Sequence, residues 1–453
     1  MNLRRLLDDG KPIFGTDGVR GVAGSELTVD LAMEIGRAAG SHLRNGPVLI
    51  GQDTRRSSSM LSGALQAGFH SAGIDTIDVG VLPSGGISYL TAKSSATMGA
   101  IVSASHNPAD DNGIKLLAGR GTKLPGEVER ELEERMRASG HQVAVGASIG
   151  YRSESSQGYH DYLEHLVAAA RYSLNGLALA LDCANGSAYK AAPELFQRLN
   201  ADVRVFHAEP NGRNINDGCG ATAPEFLVKH AGGRIGLAFD GDADRLIAVD
   251  EDGVVANGDV IMAIVARHLK EQGRLTKDLV VTTVMANLGF RKSMAEVDIE
   301  VVETPVGDRY VMEALLDRQA LLGGEQSGHI IFADLAQSGD GLLTAVQLLN
   351  VVAGTGKELR QLRADAITEL PQVLVNVTID RMVDIDAVSE LWNEVNAVEE
   401  ELGEEGRVLV RPSGTEPLIR IMVEARSKEL ATGYADRLAA VAETATAKEV
   451  SKG

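Results

Sequence analysis

Short apolar runs alternating with longer helical segments set the character of this chain from residue 47 onward. "PVLIGQD" predicts a strand, residues 57–73 a helix, "IDTIDVG" a strand, residues 84–95 a helix and "MGAIVSA" a strand. This order is that of a parallel sheet covered by helices. A charged surface helix is expected over 127–139, and the polar "RSESSQG" at 152–158 reads as a linker. A second block follows, with a strand ending near 182, a helix over 187–199, the strand "DVRVFH", a helix over 224–231 and the apolar approach to "DGDADRLIAVDEDG". The third block has helices over 259–271, 288–297 and 308–318 and strands "LVVTTV" and "IEVVET". The final part changes plan: "PQVLVNVTID", a helix over 384–400, "RVLVRPSG", "PLIRIMVEA" and a helix over 428–446 give a β-α-β-β-α order. The expected fold is therefore three doubly wound mixed α/β domains followed by a smaller α+β C-terminal domain. Boundaries fall near 152, 255 and 368, giving segments 1–152, 153–255, 256–368 and 369–453.

Bulk composition narrows the class of partner. A chain of 453 residues exceeds one core, and 44% hydrophobic content supplies several. A formal charge of -19 disfavours nucleic acid and anionic membranes, both of which need a cationic face. It leaves room for an anionic small molecule held by local Arg and Lys groups. Cys183 and Cys219 are the two cysteines, which argues against a disulfide scaffold and suits a reducing cytoplasm. The N-terminal stretch lacks a long apolar region and no later run is long enough to span a bilayer, so a soluble cytoplasmic protein is expected.

Several turns carry more chemistry than a turn requires. In "AIVSASHNPADDNGIK" a buried strand ends and Ser105 follows, either as a turn hydroxyl beside Asn107-Pro108 or as a nucleophile. In "AFDGDADRLIAV", Asp240, Asp242 and Asp244 fall at alternate positions after an apolar strand, and an extended backbone would point the three carboxylates to one side. Such a cluster calls for a cation. An EF-hand fails because its sixth position is Arg245 rather than Gly, although Glu251 matches the twelfth. Oxygen ligands favour Mg²⁺, with Mn²⁺ or Ca²⁺ as alternatives. "VRPSGTEPLIRI" sets Arg411, Ser413, Gly414, Thr415 and Arg420 in a loop between strands, suited to a phosphate dianion or to a plain hairpin. "LGGEQSGHIIF" places Glu325, Ser327 and His329 in a glycine-rich turn, where they can meet sugar hydroxyls and move a proton. "FGTDGVRG" offers Arg20, and "QDTRRS" offers Arg55 unless Asp53 or Thr54 simply caps a helix. "AGTGKEL" imitates a Walker loop around Lys357 but has Val351 and Glu358 where Gly and Ser or Thr belong.

A nucleophile-like Ser, a metal cluster, a sugar-type turn and a phosphate loop are the parts of phosphoryl transfer on a phosphosugar. The motifs "SASHNP", "DGDADR", "GGEQSGH" and "RPSGTEPLIR", in this order, resemble the α-D-phosphohexomutase superfamily, and "FGTDGVRG", "PNGRNIND" and "GGEQSGH" resemble its bacterial phosphoglucosamine mutase branch. The resemblance spans nearly the whole chain. It implies four domains around a central cleft and interconversion of glucosamine 6-phosphate and glucosamine 1-phosphate through a phosphoserine enzyme and a 1,6-bisphosphate. It implies that Ser105 carries the phosphate, that Asp240, Asp242, Asp244 and a phosphoserine oxygen hold one Mg²⁺ per subunit, and that Arg245 stands beside them. Lys115 and His329 become proton-transfer groups, with nearby cations expected to ease the Lys115 proton off, and Arg20 steadies the phosphoryl group. Glu325 and Ser327 become sugar contacts, while Arg411, Ser413, Gly414, Thr415 and Arg420 form the distal phosphate site. A sugar 1,6-bisphosphate or a kinase would first load Ser105, and the enzyme would act as a monomer or homodimer. Ser103 stands where many relatives carry Thr. A phosphomannomutase or phosphoglucomutase would use the same machinery, while a metal-dependent phosphosugar phosphatase would need an activated water where a mutase excludes water.

Overall fold

The computed structural model describes residues 12–15, 17–43, 45–138, 143–379, 385–412 and 418–452, with 447–452 as backbone alone. The chain divides into two compact units, residues 1–285 with 298–366, and residues 286–297 with 367–453.

Three sheets build the first unit. Strands β1 (Val19–Val22), β2 (Val48–Gln52), β3 (Thr76–Val81), β4 (Met98–Val102), β5 (Asp111–Ala118) and β6 (Arg152–Glu154) pair in the order β1-β5-β4-β2-β3-β6. Strands β4, β2, β3 and β6 run parallel, and β5 returns antiparallel beside β4. Strand β4 is buried at every position, as a central parallel strand covered on both faces should be. Helices α1 (Val29–His42), α2 (Ser58–Ser71), α3 (Ser84–Lys93) and α4 (Gly126–Arg137) belong to this part. Leu31 and Ile35 of α1 and Leu61, Leu65 and Phe69 of α2 join Val48, Ile50 and Ala100 in one core. Burying each large aliphatic side chain contributes about 1.5–3 kcal/mol. The stretch read as a linker is instead the edge strand β6, followed at once by a helix; its side chains are polar because an edge strand faces water.

The second sheet contains β7 (Ala178–Asp182), β8 (Asp202–Phe206), β9 (Ile235–Phe239), β10 (Leu246–Val249) and β11 (Val255–Ala256), ordered β11-β10-β9-β7-β8. Its helices are α5 (Gln157–Ala169), α6 (Ala188–Arg198) and α7 (Glu225–His230). After α8 (Gly258–Glu271), the third sheet sets β12 (Leu279–Thr283), β13 (Glu300–Thr304), β14 (Leu322–Gly324) and β15 (Ile330–Phe332) in the order β13-β12-β14-β15. Helix α9 (Leu288–Ala295) lies between β12 and β13 in sequence but belongs to the second unit. Helices α10 (Asp308–Arg318), α11 (Gly341–Thr355) and α12 (Leu359–Ala366) complete the first unit.

One device recurs in these three sheets. A strand in parallel pairing turns back into an antiparallel partner: β4 into β5, β9 into β10 and β14 into β15. The turns hold residues 103–110, 240–245 and 325–329, where the sequence concentrates its candidate chemistry.

In the second unit, β16 (Gln372–Thr378), β17 (Arg407–Pro412) and β18 (Leu418–Glu424) form an antiparallel sheet ordered β16-β18-β17, with α13 (Ser389–Leu402) and α14 (Lys428–Lys452). Val377, Ile419, Ile421 and Val423 pack with Leu391, Val395 and Leu438.

Candidate active site

The β4–β5 return brings Ser105 and Lys115 to one cluster of carboxylates. Lys115 stands opposite Ile101 in the ladder, and Ser105 lies in the turn that joins the two strands. Ser105 is buried and has φ 50°, the left-handed region that costs a non-glycine residue on the order of 1 kcal/mol or more. A dense polar mesh holds this conformation. The Ser105 N–H donates to Ser103 Oγ at 2.9 Å, and Ser103 Oγ donates to Asp53 Oδ2 at 2.6 Å. Arg55 donates to the carbonyls of Ser105 (2.9 Å), Asn107 (2.8 Å) and Asp111 (3.0 Å), and also to that of Pro108. Asn216 Nδ2 donates to the carbonyls of Ser105 at 2.9 Å and Asn107 at 3.0 Å. Asp53 is no helix cap: it pairs with Arg55 at 2.8 Å, both side chains fully buried, while α2 starts after Ser57 without a side-chain cap.

The aspartates converge by a different route from the one the sequence predicts. Residues 240–245 form a turn between β9 and β10, with Ala243 at φ 57°, rather than an extended strand. Curvature of the turn, not strand alternation, gathers the carboxylates. Asp240, Asp242 and Asp244 are all buried, with one oxygen of each within 4.8 Å of the others. Ser105 Oγ donates to Asp240 Oδ2 at 2.5 Å, and Ser84 Oγ to Asp242 Oδ2 at 2.7 Å. Asp242 Oδ1 and Asp244 Oδ1 are buried without any hydrogen-bond partner. Burial and the two neighbouring carboxylates push Asp240 well above the usual carboxylate range. Such an all-oxygen set with unpartnered acceptors fits a hard divalent cation. Glu251 stands apart from the set, accepting from the N–H groups of Leu359 and Arg360 at 3.0 and 2.9 Å.

Cationic groups surround the cluster. Lys115 Nζ is 3.5 Å from both Asp242 Oδ2 and Asp244 Oδ2. Burial works against its charge, but Asp242, Asp244 and Asp17 outweigh it and raise its pKa. This reverses the expectation that cationic neighbours ease the proton off Lys115: the dominant neighbours are carboxylates. Asp242 is correspondingly held low, with Lys115 and the Ser84 hydroxyl overcoming burial. Arg20 donates to the Ala104 carbonyl and to Asn107 Oδ1, at 3.4 and 3.3 Å, and pairs with Asp17 at 3.2 Å. Arg245 Nε lies 3.8 Å from Asp244 Oδ1. Burial, then Arg245 and Arg20, lower His106 to about 4, leaving it neutral near pH 7.

The turn after β14 docks directly on the aspartate turn. Leu246 N donates to the Gly328 carbonyl at 3.0 Å, and Arg245 forms an antiparallel bridge with His329. Glu325 and Ser327 are half-buried here, and Glu325 Oε1 accepts from the Gly307 N–H at 3.2 Å. His329 is buried, with Nδ1 unpartnered and Nε2 3.9 Å from Asp308 Oδ2. Its ring rests on Gly339, where a Cβ would come within 2.4 Å of Nε2. Lys123 pairs with both Asp17 (2.9 Å) and Asp308. Sequence reasoning did not single out Asp17, Ser84, Lys123, Asn216 or Asp308. Asp17 and Asn216 do lie inside the quoted stretches "FGTDGVRG" and "PNGRNIND", whereas for Ser84, Lys123 and Asp308 only proximity in space to the turns reveals a role, since a lone Ser, Asp or Lys carries no pattern.

In the second unit, Arg411 and Arg420 stand directly opposite each other on β17 and β18. Burial and the Arg420 charge lower the Arg411 pKa, a pairing of like charges that suits an anion between them. Ser413, Gly414 and Thr415 lie outside the described residues. Lys357 of the false Walker loop pairs with Asp365 at 2.8 Å on the surface.

Four family models match the chain. They are phosphoglucomutase/phosphomannomutase alpha/beta/alpha domain I over residues 11–142, domain II over 157–253, domain III over 257–370, and the C-terminal domain over 374–441. The phosphoglucosamine mutase of Bacillus subtilis (strain 168) is 48% identical over 437 residues, covering 94% of this chain and 97% of the relative. That of Oceanobacillus iheyensis is 49% identical over 438 residues, covering 95% and 98%. Among solved structures, a phosphoglucomutase/phosphomannomutase family protein from Burkholderia thailandensis superposes with a TM-score of 0.81 at 25% identity, covering 96% of this chain and 97% of that one. Aspergillus fumigatus N-acetylphosphoglucosamine mutase, in complex with GlcNAc-6P and magnesium, shares the fold with a TM-score of 0.70 at 20% identity, covering 98% and 99%. With four domain models in order and near half of its residues shared end to end with these relatives, the chain belongs to the phosphoglucomutase/phosphomannomutase family and, within it, to the phosphoglucosamine mutases.

Proposed function

We propose that the chain interconverts glucosamine 6-phosphate and glucosamine 1-phosphate by passing a phosphoryl group through Ser105, with a 1,6-bisphosphate between the two. The observation that carries this reading is the 2.5 Å contact of the buried, left-handed Ser105 hydroxyl with Asp240, on a cluster of three buried carboxylates. A purely structural serine needs neither the strained backbone nor that neighbour. In the forward direction the P–O bond to Ser105 Oγ breaks as a P–O bond forms to the 1-hydroxyl of the sugar. Lys115, held charged beside Asp242 and Asp244, donates the proton that the departing Ser105 oxygen takes up. His329 accepts the proton of the attacking hydroxyl. The second half-reaction runs the same transfer backwards from the 6-phosphate, after the bisphosphate has turned over. Arg20, fixed on the Ser105 loop, steadies the phosphoryl oxygens by charge-assisted hydrogen bonds worth about 1.5–3 kcal/mol each. Asp240, Asp242 and Asp244, together with a phosphoserine oxygen, would hold one Mg²⁺ per subunit, which would supply positive charge to offset that of the phosphoryl group.

Glu325 and Ser327 contact the sugar hydroxyls, and Arg411, Ser413, Gly414, Thr415 and Arg420 hold the phosphate that is not reacting. The four segments 1–152, 153–255, 256–368 and 369–453 thus supply the phosphoserine, metal, sugar and distal phosphate functions; the family models match within or close to these limits. A sugar 1,6-bisphosphate or a kinase loads Ser105 initially, and the enzyme acts as a monomer or homodimer. Two free, buried cysteines suit the reducing cytoplasm. The test is an assay of the purified chain with Mg²⁺, glucose 1,6-bisphosphate as primer and a panel of hexose 6-phosphates. Glucosamine 6-phosphate should give the highest kcat/KM, and a preference for mannose 6-phosphate would place the specificity elsewhere in the family.

A further inference from the structure

A second cluster of donor atoms lies at the C-terminal edge of the parallel strands β7 and β8, outside the machinery described above. Asp182 ends β7, and His207 follows Phe206, which pairs with Asp182 at the end of β8. Cys219 arrives from the loop that begins after His207. One donor atom of each lies within 4.8 Å of the other two. Asp182 and Cys219 are buried, while the His207 side chain keeps 26% exposure. His207 Nδ1 is 3.0 Å from Asp182 Oδ1, which also accepts from the Ala184 N–H at 3.0 Å. The His207 ring is further fixed edge-on against Phe226, with centroids 4.4 Å apart.

The independent feature that points to a ligand is Asp182 Oδ2. It is buried with no hydrogen-bond partner, although its sister oxygen has two. An orphaned carboxylate oxygen costs on the order of 1–3 kcal/mol or more, and a charged one tends to be answered by a cation. We propose that Asp182, His207 and Cys219 form a binding site for a thiophilic divalent transition metal, Zn²⁺ in the first instance. The donor set separates this site from the aspartate turn by chemistry: oxygen, nitrogen and sulfur ligands suit Zn²⁺, whereas three carboxylates suit Mg²⁺. A tetrahedral ion with bonds of about 2.0–2.3 Å fits among donors that lie within 4.8 Å of one another, with side-chain rotation of His207 and Cys219 setting the final distances. On binding, the Cys219 thiol gives up its proton to solvent, the His207 nitrogen that binds is unprotonated, and a fourth position is left to water.

The site has a structural consequence for Ser105. Three residues before Cys219, Asn216 receives a backbone anchor by donating its N–H to Ala184 O at 3.0 Å, and its side chain clamps the Ser105 and Asn107 carbonyls. A metal joining Asp182, His207 and Cys219 ties both ends of that clamp to the sheet.

The test uses the full-length chain in saturating Mg²⁺, so that the aspartate turn is occupied, with Zn²⁺ and Co²⁺ alone as probes. Metal analysis after dialysis should find one Zn²⁺ per chain, and Co²⁺ should develop a near-ultraviolet thiolate-to-cobalt charge-transfer band. Cys219→Ser should abolish the band, and His207→Gln should weaken Zn²⁺ binding by at least roughly 10- to 100-fold, the loss incurred by even the outer partners of a metal ligand. Cys183→Ser should keep band and affinity. Circular dichroism melts of each variant separate lost binding from lost fold. No band and no retained Zn²⁺ in the wild-type chain overturns the proposal, as does a band that survives Cys219→Ser or disappears with Cys183→Ser in a folded protein.

Discussion

Ser105 occupies a backbone conformation that an unconstrained serine avoids, and its neighbours spend at least six hydrogen bonds keeping that turn in place. Since those bonds run to its backbone and its loop, Ser105→Ala should leave the fold intact while abolishing turnover. Intact mass of active protein should show one added phosphoryl group that the variant lacks; brisk turnover by the variant would sink the phosphoserine reading. Gly339 offers a subtler residue-scale test. A methyl group there collides with the His329 ring and not with backbone. Gly339→Ala should therefore displace the imidazole and cut kcat by up to about 100-fold, the scale of a 1 Å misplacement, with KM and the melting temperature little changed. Equal losses in stability and activity would show that the glycine serves packing alone.

At the scale of elements, the sequence told more about strands than about what happens at their ends. Strands β2, β4, β7 and β12 are short apolar runs and were legible as such. The return strand β5 was not, because "DNGIKLLA" mixes Asn112 and Lys115 into a buried strand where polar side chains serve the site instead of the core. The aspartates were legible as a cluster, yet their geometry was misjudged: nothing local announces that Ala243 turns left-handed. Helix α11 escaped for the opposite reason. Twelve of its residues are buried, and its regularly spaced Thr344, Gln347 and Asn350 bond backbone carbonyls inside the protein instead of facing water, so no charged, solvent-facing stripe marks it. Its N-cap, Asp340, accepts from the Leu343 N–H at 3.0 Å and from the Tyr162 hydroxyl at 2.8 Å. Burial raises its pKa to about 6, above its value in an unfolded chain. The folded state thus binds this proton more tightly, and stability contributed by the protonated form is lost as pH rises from about 4 through about 6. Compared with Asp340→Asn, which keeps a capping oxygen, the wild type should lose up to about 3 kcal/mol across that window, read from melting temperatures as a function of pH. Parallel profiles for the two proteins would contradict the assignment.

For the molecule as a whole, a net charge of -19 coexists with a local ring of Arg20, Lys115 and Arg245 around three carboxylates. Binding of a divalent cation to the folded chain should stabilise it by mass action, about 2.7 kcal/mol at one hundred times the dissociation constant. Asp242→Asn should erase most of that gain. Without added cation the same variant should be less stable than wild type, because Asp242 is held ionised by Lys115 and Ser84. A melting temperature indifferent to Mg²⁺ and chelator in the wild type would remove the metal from the site.

The path of the chain through its second unit has a consequence for how this protein can be cut and recombined. Helix α9 is an excursion: the polypeptide leaves the first unit after residue 285, returns by residue 298 and departs for good only after residue 366. During that visit the Leu288 N–H bonds Glu424 Oε2 at 2.9 Å, and Asn287 exchanges hydrogen bonds with Leu370 at 2.9 and 3.0 Å. The C-terminal part is therefore not a cassette. A fragment starting at 367 would leave Glu424, buried and paired with Arg407, short of a partner, and a chimera exchanged at that point would inherit a foreign helix against its sheet. Supplying residues 286–297 as a peptide should restore protection of β16 and β18 amides to hydrogen exchange in such a fragment, which makes the excursion a built-in stitch between two bodies that a single cut cannot undo.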